Sequence, residues 1–353
     1  LARADELARN VAAVPVDISG QPVWVTLSLG TSLSTGSAGA EELLSEADAA
    51  VYRAKRRGRN RAVLFDEQMR RQTRRQVELA GRIRGGIAEG EFVPWFQPMI
   101  RLGDGSLAGY EALARWQHGD GRVLAAAAFI DVAEDRGLVV GIGDLVIARA
   151  VAVAATLPPG VRMSVNAAPQ EVARPGFVNI LRHLMEEHGV GGDQLVVEIT
   201  EGSLLGSSQW ILSAIRGLAD LGVGVHIDDF GTGYSSIAHL RDHPVSGIKL
   251  DHTFTRLIGN GGDSHALGIV AGLADLADRL GLDRIAEGVQ TREQEIVLAE
   301  SGWECARGFL FGPAAPEPVC GVAGRSAPAA SRSPPLGVRP RSGRCRCRSR
   351  GRR

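Results

Sequence analysis

The sequence predicts an α/β protein built on a TIM-like β/α barrel, and three observations carry that prediction. Between Glu91 and about Pro318, short apolar runs alternate with helix-length segments of amphipathic spacing. Eight such runs fall in roughly 230 residues, which suits a closed barrel better than an open doubly wound sheet. Polar residues lie within or at the C-terminal ends of different runs: Glu111, Asn166, Glu198, Asp228, Lys249 and Glu287. Barrel enzymes gather reactive groups at that end, whereas an open sheet would spread them along a line.

Residues 1–68 form a separate α/β piece reading helix, strand, helix, strand. Its first strand is Val23–Leu29, and its second helix is Glu41–Arg56, with apolar spacing at Leu43, Leu44, Ala47 and Val51. Two short strands make a thin core, marginal alone. The polar, arginine-rich stretch Glu67–Ile87 predicts a helical linker at residues 69–88. The barrel then occupies residues 89–318, with strands expected at Val93–Ile100, Ala108–Trp116, Arg162–Asn166, Leu195–Ile199, Val223–Asp228, Gly247–Asp251, Arg284–Glu287 and Arg307–Phe311. Helices are expected at Phe177–His188, Ser208–Leu221 and His265–Leu280. Leu138–Leu157 is the most apolar stretch, but Asp144 and Arg149 interrupt it, so it reads as a buried helix and not a membrane span. Residues 319–353, rich in Arg, Pro and Ser, lack the large apolar side chains that folding requires and read as a disordered tail.

The formal net charge of zero conceals an uneven distribution, because ten arginines and no acid follow Gly321. The acidic body this leaves disfavours binding to duplex nucleic acid. The four cysteines show no zinc-site spacing and no disulfide framework, so a reducing, cytoplasmic setting is expected. The chain opens without Met inside a helical pattern, which reads as a fragment whose upstream sensory domains, and with them a membrane anchor of the full-length protein, are missing.

Asp228 and Asp229 end an apolar strand and run directly into Phe230-Gly231-Thr232-Gly233-Tyr234-Ser235-Ser236. Adjacent strand residues point to opposite faces, so the two carboxylates share a site only if the strand is ending there. Such a pair suits bridged divalent cations, which clamp both sides of a phosphoryl displacement. Among forty basic residues only Lys55 and Lys249 are lysines. A chain that otherwise chooses Arg keeps Lys where a compact, movable ammonium is needed.

These motifs, together with Glu111-Ala112-Leu113-Ala114-Arg115-Trp116, Gln97-Pro98, Ser164-Val165-Asn166, Glu198-Ile199-Thr200-Glu201, Lys249-Leu250-Asp251 and Glu287-Gly288-Val289, resemble the EAL family of cyclic-di-GMP phosphodiesterases in the family's order. Residues 1–68 resemble the C-terminal part of a GGDEF diguanylate cyclase domain through Ser28-Leu29-Gly30, Ala47-Asp48, Tyr52-Arg53-Ala54-Lys55 and Gly58-Arg59-Asn60. That family's metal-binding signature would lie upstream, so no cyclase activity is expected of this remnant. The EAL resemblance implies metal-dependent hydrolysis of cyclic-di-GMP to linear pGpG, with two Mg²⁺ or Mn²⁺ ions per site. It implies Glu111, Asn166, Glu198, Asp228 and Asp229 as metal ligands, oxygen donors that suit these cations. By the same resemblance Glu287 is the general base and Lys249 orients the water and offsets developing charge. Gln97, Arg115, Asp251 and Arg307 are implied on the substrate side, and Glu201 as the anchor of the Asp-Phe-Gly-Thr-Gly loop. A homodimer through the EAL domain is also implied.

Two positions depart from the pattern. Gln290 stands where the family often has Glu, and Arg307 where it usually has Gln. Arg307 brings a long cation to a metal-binding mouth, where it either pairs with a substrate phosphate or opposes a metal. In the second case the domain would be a cyclic-di-GMP-binding receptor or scaffold.

Overall fold

The computed structural model describes residues 1–34, 39–204, 209–231, 243–259 and 264–318. Thr232–Ser236 of the glycine-rich run and the tail at 319–353 lie outside the described residues. In the N-terminal piece, helices α1 (Ala2–Ala13) and α2 (Ala40–Arg56) accompany two small sheets. Strands β1 (Val16–Ile18) and β2 (Gln21–Val23) form an antiparallel hairpin, and β3 (Ser28–Thr31) pairs in parallel with β4 (Arg61–Leu64). The single strand expected at Val23–Leu29 is therefore two strands with a break at Trp24–Leu27. Trp24 and Val25 are exposed, so no neighbouring layer rewards continued pairing there.

Helix α3 (Glu67–Ala88) begins at an Asp66 cap, whose side chain accepts the Met69 N–H at 2.8 Å. Its Ala80 and Ile83 pack with Phe92, Trp116 and Phe129, the last supported by the short helix α4 (Ile130–Asp135). Helix α5 (Val139–Ala154) is the apolar stretch singled out in the sequence. Its Val139, Ile142 and Val146 join the α3 cluster, while Ile147, Ala150, Val151 and Ala154 join the barrel core. A helix apolar around most of its circumference is thus explained by two packed faces. No helix among the described residues is long and apolar enough to cross a membrane.

Eight strands close the barrel in the order β5 (Phe92–Arg101), β6 (Leu107–Gln117), β8 (Arg162–Asn166), β9 (Leu195–Thr200), β10 (Gly224–Phe230), β11 (Gly247–Leu250), β12 (Asp283–Ala286) and β13 (Cys305–Arg307), which returns to β5. A short β7 (Val123–Ala125) adds to β6 outside the ring. The barrel differs from a regular β/α barrel in one strand: β5 runs antiparallel to both β6 and β13. Leu102–Ser106 is a tight connection with Gly105 at φ 72°, long enough for a hairpin and too short for the crossover that parallel neighbours need.

The last strand is also displaced from Arg307–Phe311 to Cys305–Arg307. Beyond Arg307 the chain turns, with the Phe311 N–H donating to the Gly308 carbonyl at 3.0 Å. Along each inner strand one alternate set faces outward into the core, for example Met163 and Val165, Val197 and Ile199, Val225 and Ile227, Ile248 and Leu250. The other set lines the barrel interior, and its upper members are the polar residues of the six strand ends.

Candidate active site

The period of two on each strand brings Glu111 (β6), Asn166 (β8), Glu198 (β9), Asp228 (β10) and Lys249 (β11) to one end of the barrel. Glu287 follows β12 directly, and Arg307 ends β13. Lys249 is wholly buried and central. Its Nζ lies 2.5 Å from Glu198 Oε2, 2.7 Å from Glu287 Oε1, 3.1 Å from Asp228 Oδ1 and 3.2 Å from Glu111 Oε2. Burial alone would lower the Lys249 ammonium, but Glu111, Glu198, Glu287 and Asp228 together hold it well above its ordinary value.

The carboxylates respond unequally to this crowding. Burial, and then Glu111 beside it, push Glu198 up to about 8. Burial raises Asp228 to about 6, with Glu287 and Glu111 adding to the effect against the pull of Lys249. Glu287 goes the other way: burial would raise it, but Lys249 and Arg307 overcome this and bring it to about 2. The site is acidic in excess, and its protons sit on Glu198 and Asp228 first.

Asp228 and Asp229 reach the same side by a break in the strand. Pairing of β10 with β11 slips between Ile227 and Phe230, and Asp229 adopts φ 54°. A left-handed backbone at a non-glycine residue costs on the order of 1 kcal/mol, and Asp is among the residues that tolerate it. The turn sets oxygens of Asp228, Asp229 and Glu287 within 4.8 Å of one another. Gly231 follows at φ 98°, and its N–H donates to Glu201 Oε2 at 3.0 Å.

The remaining sequence candidates separate. Gln97 is buried beside the cluster, its Nε2 donating to the Gly312 carbonyl and its Oε1 accepting from Arg307. Arg115 is on the same strand face as Glu111 but higher, with its guanidinium 5.6 Å from the Trp95 ring centroid. Asp251 is buried and caps helix His252–Arg256, accepting from the Thr253 N–H at 2.9 Å. A cavity of about 790 Å³ opens over the carboxylates and extends along an apolar wall that includes Leu113, Ile130, Ile142 and Val146.

Glu171, which also lines this cavity, was not singled out by the sequence reading. It is 2% exposed, and burial pushes its carboxyl up to about 7. Its Oε2 accepts the Ala168 N–H at 2.8 Å. The available signal was Ala168-Pro169-Gln170-Glu171, a helix start with Pro at its first position and Glu at its third.

Residues 80–314 match the family model described as EAL domain. The chain belongs to the EAL family. Residues 2–61 match the diguanylate cyclase, GGDEF domain. Among curated relatives of this EAL protein is MucR of Pseudomonas aeruginosa, named a bifunctional diguanylate cyclase/cyclic di-GMP phosphodiesterase. It is 32% identical over 314 residues, covering 88% of this chain and 45% of MucR. The cyclic di-GMP phosphodiesterase PdeR of Escherichia coli is 32% identical over 302 residues, covering 84% of this chain and 45% of PdeR. A solved MucR phosphodiesterase structure in complex with c-di-GMP superposes with a TM-score of 0.64 at 31% identity, over 68% of this chain and 98% of that one. The chain spans less than half the length of these two curated relatives.

EAL phosphodiesterases generally depend on divalent metals, and the residues of this EAL domain fit such an ion. The donors are carboxylate oxygens and one amide, the hard set that Mg²⁺ and Mn²⁺ select. Glu198 Oε1 is buried with no hydrogen-bond partner among the described residues, an acceptor ready for a cation.

Proposed function

We propose that this EAL domain hydrolyses cyclic-di-GMP to linear pGpG with Mg²⁺ or Mn²⁺. The observation that carries the reading is the convergence of Glu111, Glu198, Asp228 and Glu287 on Lys249 at the C-terminal mouth of the barrel. A divalent cation held by ligands drawn from Glu111, Asn166, Glu198, Asp228 and Asp229 would supply Lewis acidity at the phosphate and lower the pKa of a water. Glu287, kept ionised by Lys249 and Arg307, accepts the proton of the attacking water. The water oxygen bonds to phosphorus as the P–O3′ bond breaks, which leaves a 5′-phosphate on one nucleoside and a 3′-hydroxyl on the other. Lys249 orients the water and offsets charge gathering on the phosphoryl oxygens.

Arg115 forks onto a substrate phosphate, and Gln97 and Asp251 also act on the substrate side. Glu201 holds the loop after Asp229 through the Gly231 N–H. Residues 1–68 form the GGDEF-type piece, joined through 69–88 to the barrel at 89–318, and the EAL domain pairs as a homodimer. The protein works in the cytoplasm.

Purified chain is incubated with cyclic-di-GMP and either metal, and products are separated by chromatography. Linear pGpG is the expected product. No turnover with either metal in a folded sample sinks the reading, and nucleotide binding without hydrolysis in calorimetry would make the domain a receptor.

A further inference from the structure

Arg307 is held where it is by its backbone. The Val289 N–H donates to the Arg307 carbonyl at 3.1 Å. The next residue, Gly308, packs so closely on Val289 that a Cβ there would lie 2.0 Å from the Val289 carbonyl oxygen. The Arg307 side chain is directed inward, only 15% accessible, and reaches over the carboxylates.

Each guanidinium nitrogen meets a different site residue. Nε forms an ion pair with Glu111 Oε2 at 2.6 Å, and one terminal nitrogen forms another with Glu287 Oε1 at 2.9 Å. The other terminal nitrogen donates to Gln97 Oε1 at 3.0 Å. Glu111 is thereby used up: its Oε1 accepts from Asn166 Nδ2 at 3.0 Å, and its Oε2 faces both Lys249 and Arg307. Asp228, Asp229 and Glu287 present oxygens within 4.8 Å of one another, with Asp228 Oδ1 and Glu287 Oε1 also facing Lys249.

We infer that Arg307 takes the place of one of two divalent cations, so that this centre works with a single ion at Asp228 and Asp229, beside Glu287, and a guanidinium at Glu111. The inference rests on the phosphodiesterase reading for the class of ion. A guanidinium cannot ligate and acidify a water, but it neutralises carboxylates and presents fixed N–H donors to an anionic phosphate. In this arrangement Arg307 is a positioning residue, fixing Glu111, Glu287 and Gln97 at once.

Metal-stripped full chain is titrated with Mn²⁺, and the ions are counted by calorimetry and by electron paramagnetic resonance. The wild type is expected to saturate at one ion per chain with the hyperfine pattern of isolated Mn²⁺. Arg307→Gln, which replaces the cation with a neutral amide, is expected to saturate at two ions with the broadened spectrum of coupled neighbours. A wild type that binds two ions, or none, overturns the inference. So does a single ion in Arg307→Gln whose circular dichroism shows it folded. Should Arg307→Gln fail to fold, the wild-type count decides alone, and a second ion in Arg307→Lys, which keeps the charge, also overturns it. Turnover is read separately. An inactive protein with these ion counts fails the phosphodiesterase reading alone, and an active wild type with two ions fails this inference alone.

Discussion

The barrel encloses two ionic clusters, one at each end, and they are built on opposite terms. At the N-terminal end Asp283 (β12) accepts from Arg162 (β8) at 2.6 Å and faces His226 Nε2 (β10) at 3.2 Å. Burial would raise Asp283, but His226 and Arg162 bring its carboxyl down to about 2. One acid has two partners there, and Gly247 leaves the space that the His226 ring fills. At the C-terminal mouth Lys249 and Arg307 face Glu111, Glu198, Asp228, Asp229 and Glu287, and acids outnumber bases. Glu198 and Asp228 answer with raised pKa values instead of pairing fully. A satisfied buried cluster holds strands in register. An unsatisfied one at a cavity has the charge to take up a cation from outside, as proposed for this mouth.

The largest expected difference between the two ends is in turnover. Asp228→Asn should lower the hydrolysis rate by about 100-fold or more, because a charged ligand at the metal is lost. Its melting temperature without metal should hold or rise, since one member of a like-charge group is gone. Retention of more than about a tenth of the wild-type rate would place the metal elsewhere.

The pH dependence of stability separates the ends next. Folding raises Glu198 from 4.5 to about 8 and Asp228 from 3.8 to about 6. Both therefore bind protons more tightly folded than unfolded, and stability falls as pH rises through these windows. Thermal melts of metal-free protein should drop between about pH 5 and 8, with Mg²⁺ or Mn²⁺ restoring much of the loss. Asp283 has the opposite sign: its contribution is present above 3.8 and is lost as pH falls towards about 2. A metal-free melting temperature that climbs steadily from pH 5 to 8 would contradict the contrast.

Two substitutions at the N-terminal end should alter stability while leaving turnover of the folded protein at the wild-type rate. A Cβ at Gly247 would lie 2.7 Å from the His226 ring and 2.9 Å from Asp283 Cβ, so Gly247→Ala should cost about 1–3 kcal/mol in urea denaturation. Asp283→Asn should cost less, about 1 kcal/mol, because Arg162 and Asp283 are each a third exposed and an amide still accepts a hydrogen bond. A tenfold fall in turnover from either change would mean that the two ends are coupled.

Much of the mouth was legible in the sequence. The polar residues at successive strand ends, their order and the isolated Lys249 needed only a period of two and a count of residue types. The N-terminal cluster was not legible, because Arg162, His226 and Asp283 look like ordinary residues at strand starts until closure brings β8, β10 and β12 together. Glu171 escaped for a similar reason: nothing local says that the cavity wall buries a helix-capping carboxylate.

Alternation along a strand is a local property of the backbone, so the order of residues was enough to set which side chains face the barrel interior. It was enough, too, to require a strand ending if Asp228 and Asp229 are to share a face. How that ending is made, by a register slip and a left-handed Asp229, was settled only when β10 packed beside β11. The same closure settled that Asp251 caps a helix and that the last strand stops at Arg307. Most of all it settled what Arg307 meets. A long, flexible cation goes where through-space attraction and the packing of Gly308 on Val289 send it, and neither is a property of neighbouring letters.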